Sequence, residues 1–69
     1  MLKVHTIFTD SNGIQALGTY GKAMKNLVKA CNQAQKLSVE RGIAEVHDQA
    51  NCVLAAFRAG KRVNGSVML

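Results

Sequence analysis

The chain has 69 residues, a formal net charge of +5 and an apolar content of 48%, but only two Phe and one Tyr. A chain this short has room for one domain and buries only roughly 60% of its unfolded surface, so we expect residues 1–69 to form a single small domain. Much of the apolar content is alanine, which contributes little burial per residue. We therefore expect a homodimer, in which a second copy completes the core.

The composition also excludes several classes of protein. The absence of proline and of low-complexity tracts argues against disorder. The apolar runs are far shorter than the approximately 18 residues that span a bilayer, and the first ten residues lack the pattern of a secretory signal. We therefore expect a cytoplasmic protein with no membrane contact, in which cysteines stay reduced.

The first segment is rich in residues that favour strands. Residues 2–9, LKVHTIFT, are too short for a helix and predict a strand or an extended arm. Residues 9–13, TDSNG, predict a turn, and Asp10, Ser11 or Asn12 is a candidate N-cap for a following helix.

A helix is predicted from about residue 14 to about residue 37. Apolar residues recur at alternating spacings of three and four, the pattern of a heptad seam. Two glycines, Gly18 and Gly21, weaken its first turns by about 1 kcal/mol each relative to alanine. The seam residues are Leu17, Tyr20, Met24, Leu27, Cys31 and Ala34.

A second apolar stripe predicts a second helix over residues 39–59. It is out of register with the first, which places a break between Ser38 and Gly42, with Gly42 as a candidate C-cap and Ser38 as a candidate N-cap. Gly60 is predicted to end this helix. The stripe consists of Val39, Ile43, Val46, Ala50, Val53 and Phe57.

Together these elements predict a mostly α fold, a two-helix hairpin of residues 14–37 and 39–59 with short extended N- and C-terminal arms. The arms either pair as a β-α-α-β unit or stay loose, and the expected assembly is a helical homodimer. A long kinked helix in an intertwined dimer is the alternative. The layout resembles small helical-hairpin dimers of the plasmid RNA-binding type in architecture only. The predicted dimer or helix-packing seam is Leu17, Tyr20, Met24, Leu27, Cys31, Val39, Ile43, Val46, Val53 and Phe57.

The two cysteines and two histidines do not predict a reactive site. In a hairpin, Cys31 and Cys52 would lie at the same level but point in different directions, which argues against a disulfide. No pair among these four residues has the spacing of a zinc site, and His47 lies on a different face from Cys52. Catalytic motifs and a phosphate-binding glycine loop are also missing. We expect a non-enzyme without metal or cofactor, with Cys31 as a small core residue.

Basic residues are the strongest functional signal. On a helix, four lysines would share an arc of about 60° with no acidic residue beside them: Lys22, Lys25, Lys29 and Lys36. Three further basic residues follow near the end of the chain and would extend this surface: Arg58, Lys61 and Arg62.

Three functions fit a one-sided basic surface on a small non-catalytic chain. The first is a regulator or inhibitor that binds the acidic surface of a larger protein or nucleoprotein complex stoichiometrically; compact accessory proteins of phages and mobile elements fit this description. The second is sequence-tolerant nucleic-acid binding, since lysines contact phosphates and carry little base readout. The third is a structural assembly subunit. A merely solvated lysine face is the remaining interpretation.

Overall fold

The computed structural model describes residues 1–64, which form one helix and five strands. In chain order these are β1 (Leu2–Thr9), β2 (Gln15–Met24), α1 (Leu27–Arg41), β3 (Ile43–His47), β4 (Val53–Arg58) and β5 (Lys61–Val63). The strands make one antiparallel sheet in the order β2-β1-β3-β4-β5, and α1 packs on one face of it.

The predicted mostly α fold is therefore wrong, as is the two-helix hairpin over residues 14–37 and 39–59. The first half of the first predicted helix is β2, which pairs with β1 along nearly its whole length. Gly18 lies directly beneath the Phe8 ring, where an added Cβ would come within 2.8 Å of Cδ2. Glycine at positions 18 and 21 disfavours a helix, and pairing with β1 satisfies the backbone groups of β2 that point toward β1.

The second predicted helix is a hairpin of β3 and β4. The Asp48 carboxylate organises its turn by accepting hydrogen bonds from the backbone N–H groups of Ala50 (2.8 Å) and Cys52 (2.9 Å). Asn51 takes a left-handed conformation with φ 62°, which asparagine tolerates better than most residues. Ala50 and Cys52 therefore belong to a turn, and the periodicity of the second apolar stripe is not that of a helix.

Several local predictions are confirmed. Residues 2–9 form β1, and TDSNG forms a turn, although the Asp10 carboxylate caps a hairpin by accepting from Asn12 N–H and Ile14 N–H. Gly42 is the C-cap of α1, with φ 97° and its N–H donating to the Ser38 carbonyl. Ser38 is not an N-cap, since it lies buried within α1.

Of the two alternatives for the terminal arms, pairing with each other is wrong for the described residues. Both edges of β1 are occupied, by β2 on one side and β3 on the other. Val63 belongs to β5, which pairs with β4. Residues 65–69, the rest of the predicted arm, lie outside the described part of the chain.

The core lies between α1 and the three inner strands. Small residues on the buried face of the helix bring it close to the sheet, and the buried apolar cluster is Val4, Ala30, Ala34, Leu37, Ala44, Val46, Ala55 and Phe57. The predicted helical seam is not formed. Of its residues, Val46 and Phe57 are in this core and Tyr20, Met24 and Cys31 pack against it, while Ile43 is half-buried and Leu17, Leu27, Val39 and Val53 are exposed.

Within residues 1–64, the single helix is neither long nor apolar enough to cross a membrane.

Candidate functional site

A groove runs between α1 and β2 on the helix side of the sheet. The helix packs over β1, β3 and β4 and makes few contacts with β2, so the outermost strand extends beyond its cover. The resulting space, here called the β2–α1 groove, has a volume of about 420 Å³. Its lining residues are Tyr20, Lys29, Asn32, Gln33, Lys36, Leu37 and Glu40.

Local sequence positions two lysines along this groove. The Asn26 side chain accepts a hydrogen bond from Lys29 N–H at 3.1 Å and so starts the helix there. Lys29 and Lys36 are seven residues apart, which places them about 20° apart around the helix and about 10 Å apart along it. Their side chains therefore point into the same groove.

The groove carries a net positive charge, from two lysines and one glutamate. Among the described residues, no carboxylate oxygen lies within 4.0 Å of the ammonium group of either groove lysine. Glu40 also lines the groove and offsets part of the charge. An anionic group entering the groove therefore gains electrostatic attraction without first displacing an internal ion pair.

Polar and aromatic groups complete the groove wall. Gln33 Oε1 is buried with no hydrogen-bond partner among the described residues, and a carboxamide offers both donors and acceptors. The Arg41 guanidinium lies 5.6 Å from the Tyr20 ring centroid and 4.9 Å from that of Phe8, and it donates to the Ile7 carbonyl at 3.0 Å. These contacts hold the Tyr20 ring in place.

Next to the groove, β2 presents an open edge: within residues 1–64, no strand pairs with its outer side. Backbone groups in an antiparallel pair point alternately inward and outward. The Asp10 N–H donates to the Ile14 carbonyl at 3.0 Å, so these two residues form a hydrogen-bonded pair. Along the register from that pair, Gln15, Leu17 and Thr19 occupy the alternate positions, whose N–H and C=O groups point away from β1. By the same alternation, the Ile7 carbonyl on β1 points toward β3, and it accepts the hydrogen bond from the Arg41 guanidinium.

The predicted basic residues are distributed over several elements. Lys22 lies in β2, Lys25 precedes the N-cap Asn26, and Lys29 and Lys36 lie on α1. The predicted arc of four lysines on one helix is therefore not formed, although two of the four share the groove. Their role in partner binding stays a prediction. The remaining basic residues lie in β4 and β5, at the opposite edge of the sheet: Arg58, Lys61 and Arg62.

A second cluster lies on the sheet face opposite α1. The register places His5 on β1 directly across from Glu45 on β3. Glu45 is 1% exposed, and its Oε1 accepts a hydrogen bond from His47 Nε2 at 2.8 Å. The His5 and His47 rings are 4.1 Å apart between centroids. Burial, and next the nearby His47, lowers the pKa of His5.

Neither this cluster nor the cysteines assemble a metal site: no three His, Cys, Asp or Glu side chains in the described range are placed to hold a metal ion. Cys31 is a half-buried free thiol against the core, as predicted for a small core residue. Cys52 is an exposed free thiol in the turn between β3 and β4.

Sequence reasoning missed the polar groove residues Asn32, Gln33 and Glu40 and the cluster of His5 and Glu45. The groove residues had a detectable signal, since they share the spacing of Lys29 and Lys36 on a helix. The cluster had none, because its members approach only through pairing of β1 with β3.

Comparison with known proteins adds no assignment: no protein-family model, no curated protein and no solved structure matches this chain.

Proposed function

We propose that the protein is a non-catalytic binding protein that acts stoichiometrically on a larger partner, by taking an acidic region of that partner into the β2–α1 groove. The observation that carries the proposal is the pair Lys29 and Lys36, which line one groove without a carboxylate within 4.0 Å. A small regulator or inhibitor that covers a functional surface of its partner would work in this way.

The lining favours a polypeptide partner over a nucleic acid. Nucleic-acid binding without base readout depends on many phosphate contacts, whereas this groove offers only two lysines. Leu37 and Tyr20 give the groove an apolar component that suits the side chains around an acidic residue in a protein. The single aromatic ring there falls short of the stacking platform that single strands use.

A charge-reversal comparison tests the proposal. The probes are poly-L-glutamate, a duplex oligonucleotide and a single-stranded oligonucleotide, each titrated at low and at high salt. We expect the double variant Lys29→Glu/Lys36→Glu to weaken binding of poly-L-glutamate by at least about tenfold. The matched control is Lys61→Glu/Arg62→Glu, which changes the net charge equally at the opposite edge of the sheet and should weaken binding far less.

Two outcomes would contradict the proposal. Equal losses in both double variants would mean that only the net charge of the protein attracts the probe. Tighter binding of either oligonucleotide than of poly-L-glutamate, with a steep salt dependence, would favour the nucleic-acid function instead.

A further inference from the structure

We infer that the partner binds as an added β-strand: an extended segment that alternates acidic and apolar residues pairs with the outer edge of β2 and lays its acidic side chains over the β2–α1 groove. This inference rests on the proposed function and specifies how the acidic region is recognised. Addition of a strand to an exposed sheet edge is a recurrent mode of peptide binding, in which backbone bonds give affinity and side-chain pockets give selectivity.

The edge offers the backbone groups that such pairing needs. Gln15, Leu17 and Thr19 direct their N–H and C=O groups outward, and no other strand in the described part of the chain uses them. Natural edge strands are usually protected by charge, by proline or by shortness. The stretch from Gln15 to Gly21 carries no charged residue and no proline, so it is open to pairing.

The two faces of β2 determine which side chains the added strand should carry. Tyr20 lies on the helix side, within the groove that Lys29 and Lys36 line. Leu17 lies on the opposite face, where it is 52% exposed. Side chains alternate between faces along a strand, so acidic residues would meet the lysines while the intervening apolar residues cover Leu17.

A second copy of the chain fits this edge less well. Pairing of β2 with β2 would bring together two chains that each carry a net charge of +5. The strand that each copy contributes has no acidic residue between Gln15 and Met24 to neutralise the groove lysines of the other. Charge complementarity therefore favours an acidic segment of a different protein.

The test uses a peptide of alternating glutamate and valine, roughly eight residues long to cover the open edge, with blocked ends. In antiparallel addition, the residues that bond to the outward groups of Leu17 and Thr19 have their side chains on the same face as Leu17. These are the valines. N-methylation of the valine amides should therefore weaken binding by at least about tenfold, while N-methylation of the glutamate amides should not.

The two methylated peptides have equal charge and equal numbers of methyl groups, so they control for each other. A loss with the glutamate-methylated peptide alone would support addition of a parallel strand. Equal binding of all three peptides would overturn strand addition. If all three peptides bind equally and Lys29→Glu/Lys36→Glu abolishes their binding, the groove function stands and only the mode of recognition fails. If no peptide binds the unchanged protein, both the function and the mode of recognition fail.

A protein variant gives an independent test. Leu17→Pro removes an N–H that points outward, so it leaves the bonds between β1 and β2 in place. It should keep the circular dichroism spectrum of the parent and lose affinity for the unmodified peptide by at least about tenfold. Unchanged affinity would overturn the inference. A homodimer that Leu17→Pro dissociates would also overturn it, by assigning the edge to a second copy.

Discussion

The two edges of the sheet differ in length and in charge, two properties that control strand pairing. β5 has three residues, two of which are Lys61 and Arg62, whereas β2 has ten residues and no charge before Lys22. Short length and positive charge are the usual protections of an edge strand against unwanted pairing. The comparison indicates that one edge is closed to partners and that the other is left available.

The helix reinforces this difference. Its flank contacts the turn between β4 and β5, where the Gly60 N–H donates to Ser38 Oγ at 2.8 Å and Gln35 Nε2 donates to the Gly60 carbonyl at 2.9 Å. No comparable hydrogen bond ties α1 to β2 among the described residues. The hydrogen bonds from α1 to the outer part of the sheet therefore lie at the β5 side, and the β2–α1 groove opens at the other side.

The largest expected effect compares two phenylalanines, each on the strand next to one edge. Phe57 on β4 is 6% exposed and belongs to the core, whereas Phe8 on β1 is 36% exposed. Phe57→Ala should lower the free energy of unfolding by about 3–5 kcal/mol, and Phe8→Ala by about 1–2 kcal/mol because less surface is lost from burial. Urea unfolding curves measure both, and equal losses would contradict the proposed asymmetry.

A glycine pair tests one contact near each edge, at Gly60 in the turn between β4 and β5 and at Gly21 within β2. Gly60 (φ 83°) and Gly21 (φ 67°) both take left-handed conformations, in which alanine costs about 1–2 kcal/mol. A Cβ on Gly60 would also approach Val39 Cγ2 to 2.7 Å, whereas one on Gly21 would meet its nearest neighbour at 3.8 Å. Gly60→Ala should therefore destabilise by about 1–3 kcal/mol more than Gly21→Ala.

Thermal or urea unfolding measures this difference, and Val39→Ala supplies the control. Val39 is 68% exposed, so its truncation alone should cost little. Combined with Gly60→Ala, it should restore most of the additional loss. A double variant as unstable as Gly60→Ala alone would contradict the contact as the cause.

The pH dependence of stability tests the centre of the sheet, which neither edge includes. The pKa of His5 is lowered from its ordinary value of 6.5, chiefly by burial. Below pH 6.5 the unfolded chain therefore binds a proton at this site more readily than the folded chain. Stability should be full above that pH and should fall as the pH drops toward the folded pKa.

Urea midpoints measured across this range should show the decline, and the variant His5→Phe, which retains a ring but does not titrate, should show less of it. The difference between the two profiles isolates His5 from other titrating groups. A parent protein that becomes more stable relative to the variant on acidification would contradict the sign.

The smallest expected effect on stability comes from exchanging the residue types of the two edges, with a charged residue placed in β2 and an apolar residue in β5. Leu17→Lys and Lys61→Leu should each change the free energy of unfolding by no more than about 0.5 kcal/mol, because both positions are exposed. Light scattering of concentrated solutions should show more self-association for Lys61→Leu than for the parent, because the substitution removes a charge that protects the β5 edge. A large destabilisation by Leu17→Lys would mean that β2 is covered and not open.

Several features of the fold and site were predictable because they depend on neighbouring residues. The β-formers of residues 2–9 specify β1, Asp10 specifies the first turn, and Gly42 ends the helix. Lys29 and Lys36 were placed together correctly because both lie on the segment that is a helix. Lys22 and Lys25 were not, because that helix begins only after Asn26.

The failure at residues 15–24 and 43–58 has a common cause. Apolar residues spaced three and four apart fit a helix, but short stretches of this kind also occur in paired strands. β1 pairs with β2 on one edge and with β3 on the other, and β3 in turn pairs with β4. Gly18 fits closely beneath Phe8, and Val46 pairs with Val4. These contacts join residues far apart in sequence, where local periodicity carries no information.

The sequence by itself determined that the chain is small and basic. It also determined the first strand and turn, the end of the helix and the placement of two lysines together on that helix. Only the tertiary structure decided that β2 lies at an edge, that α1 leaves it uncovered and that His5 meets Glu45. Turns and caps are set by backbone preferences within a few residues, whereas strand order and burial depend on which distant segments satisfy one another's hydrogen bonds.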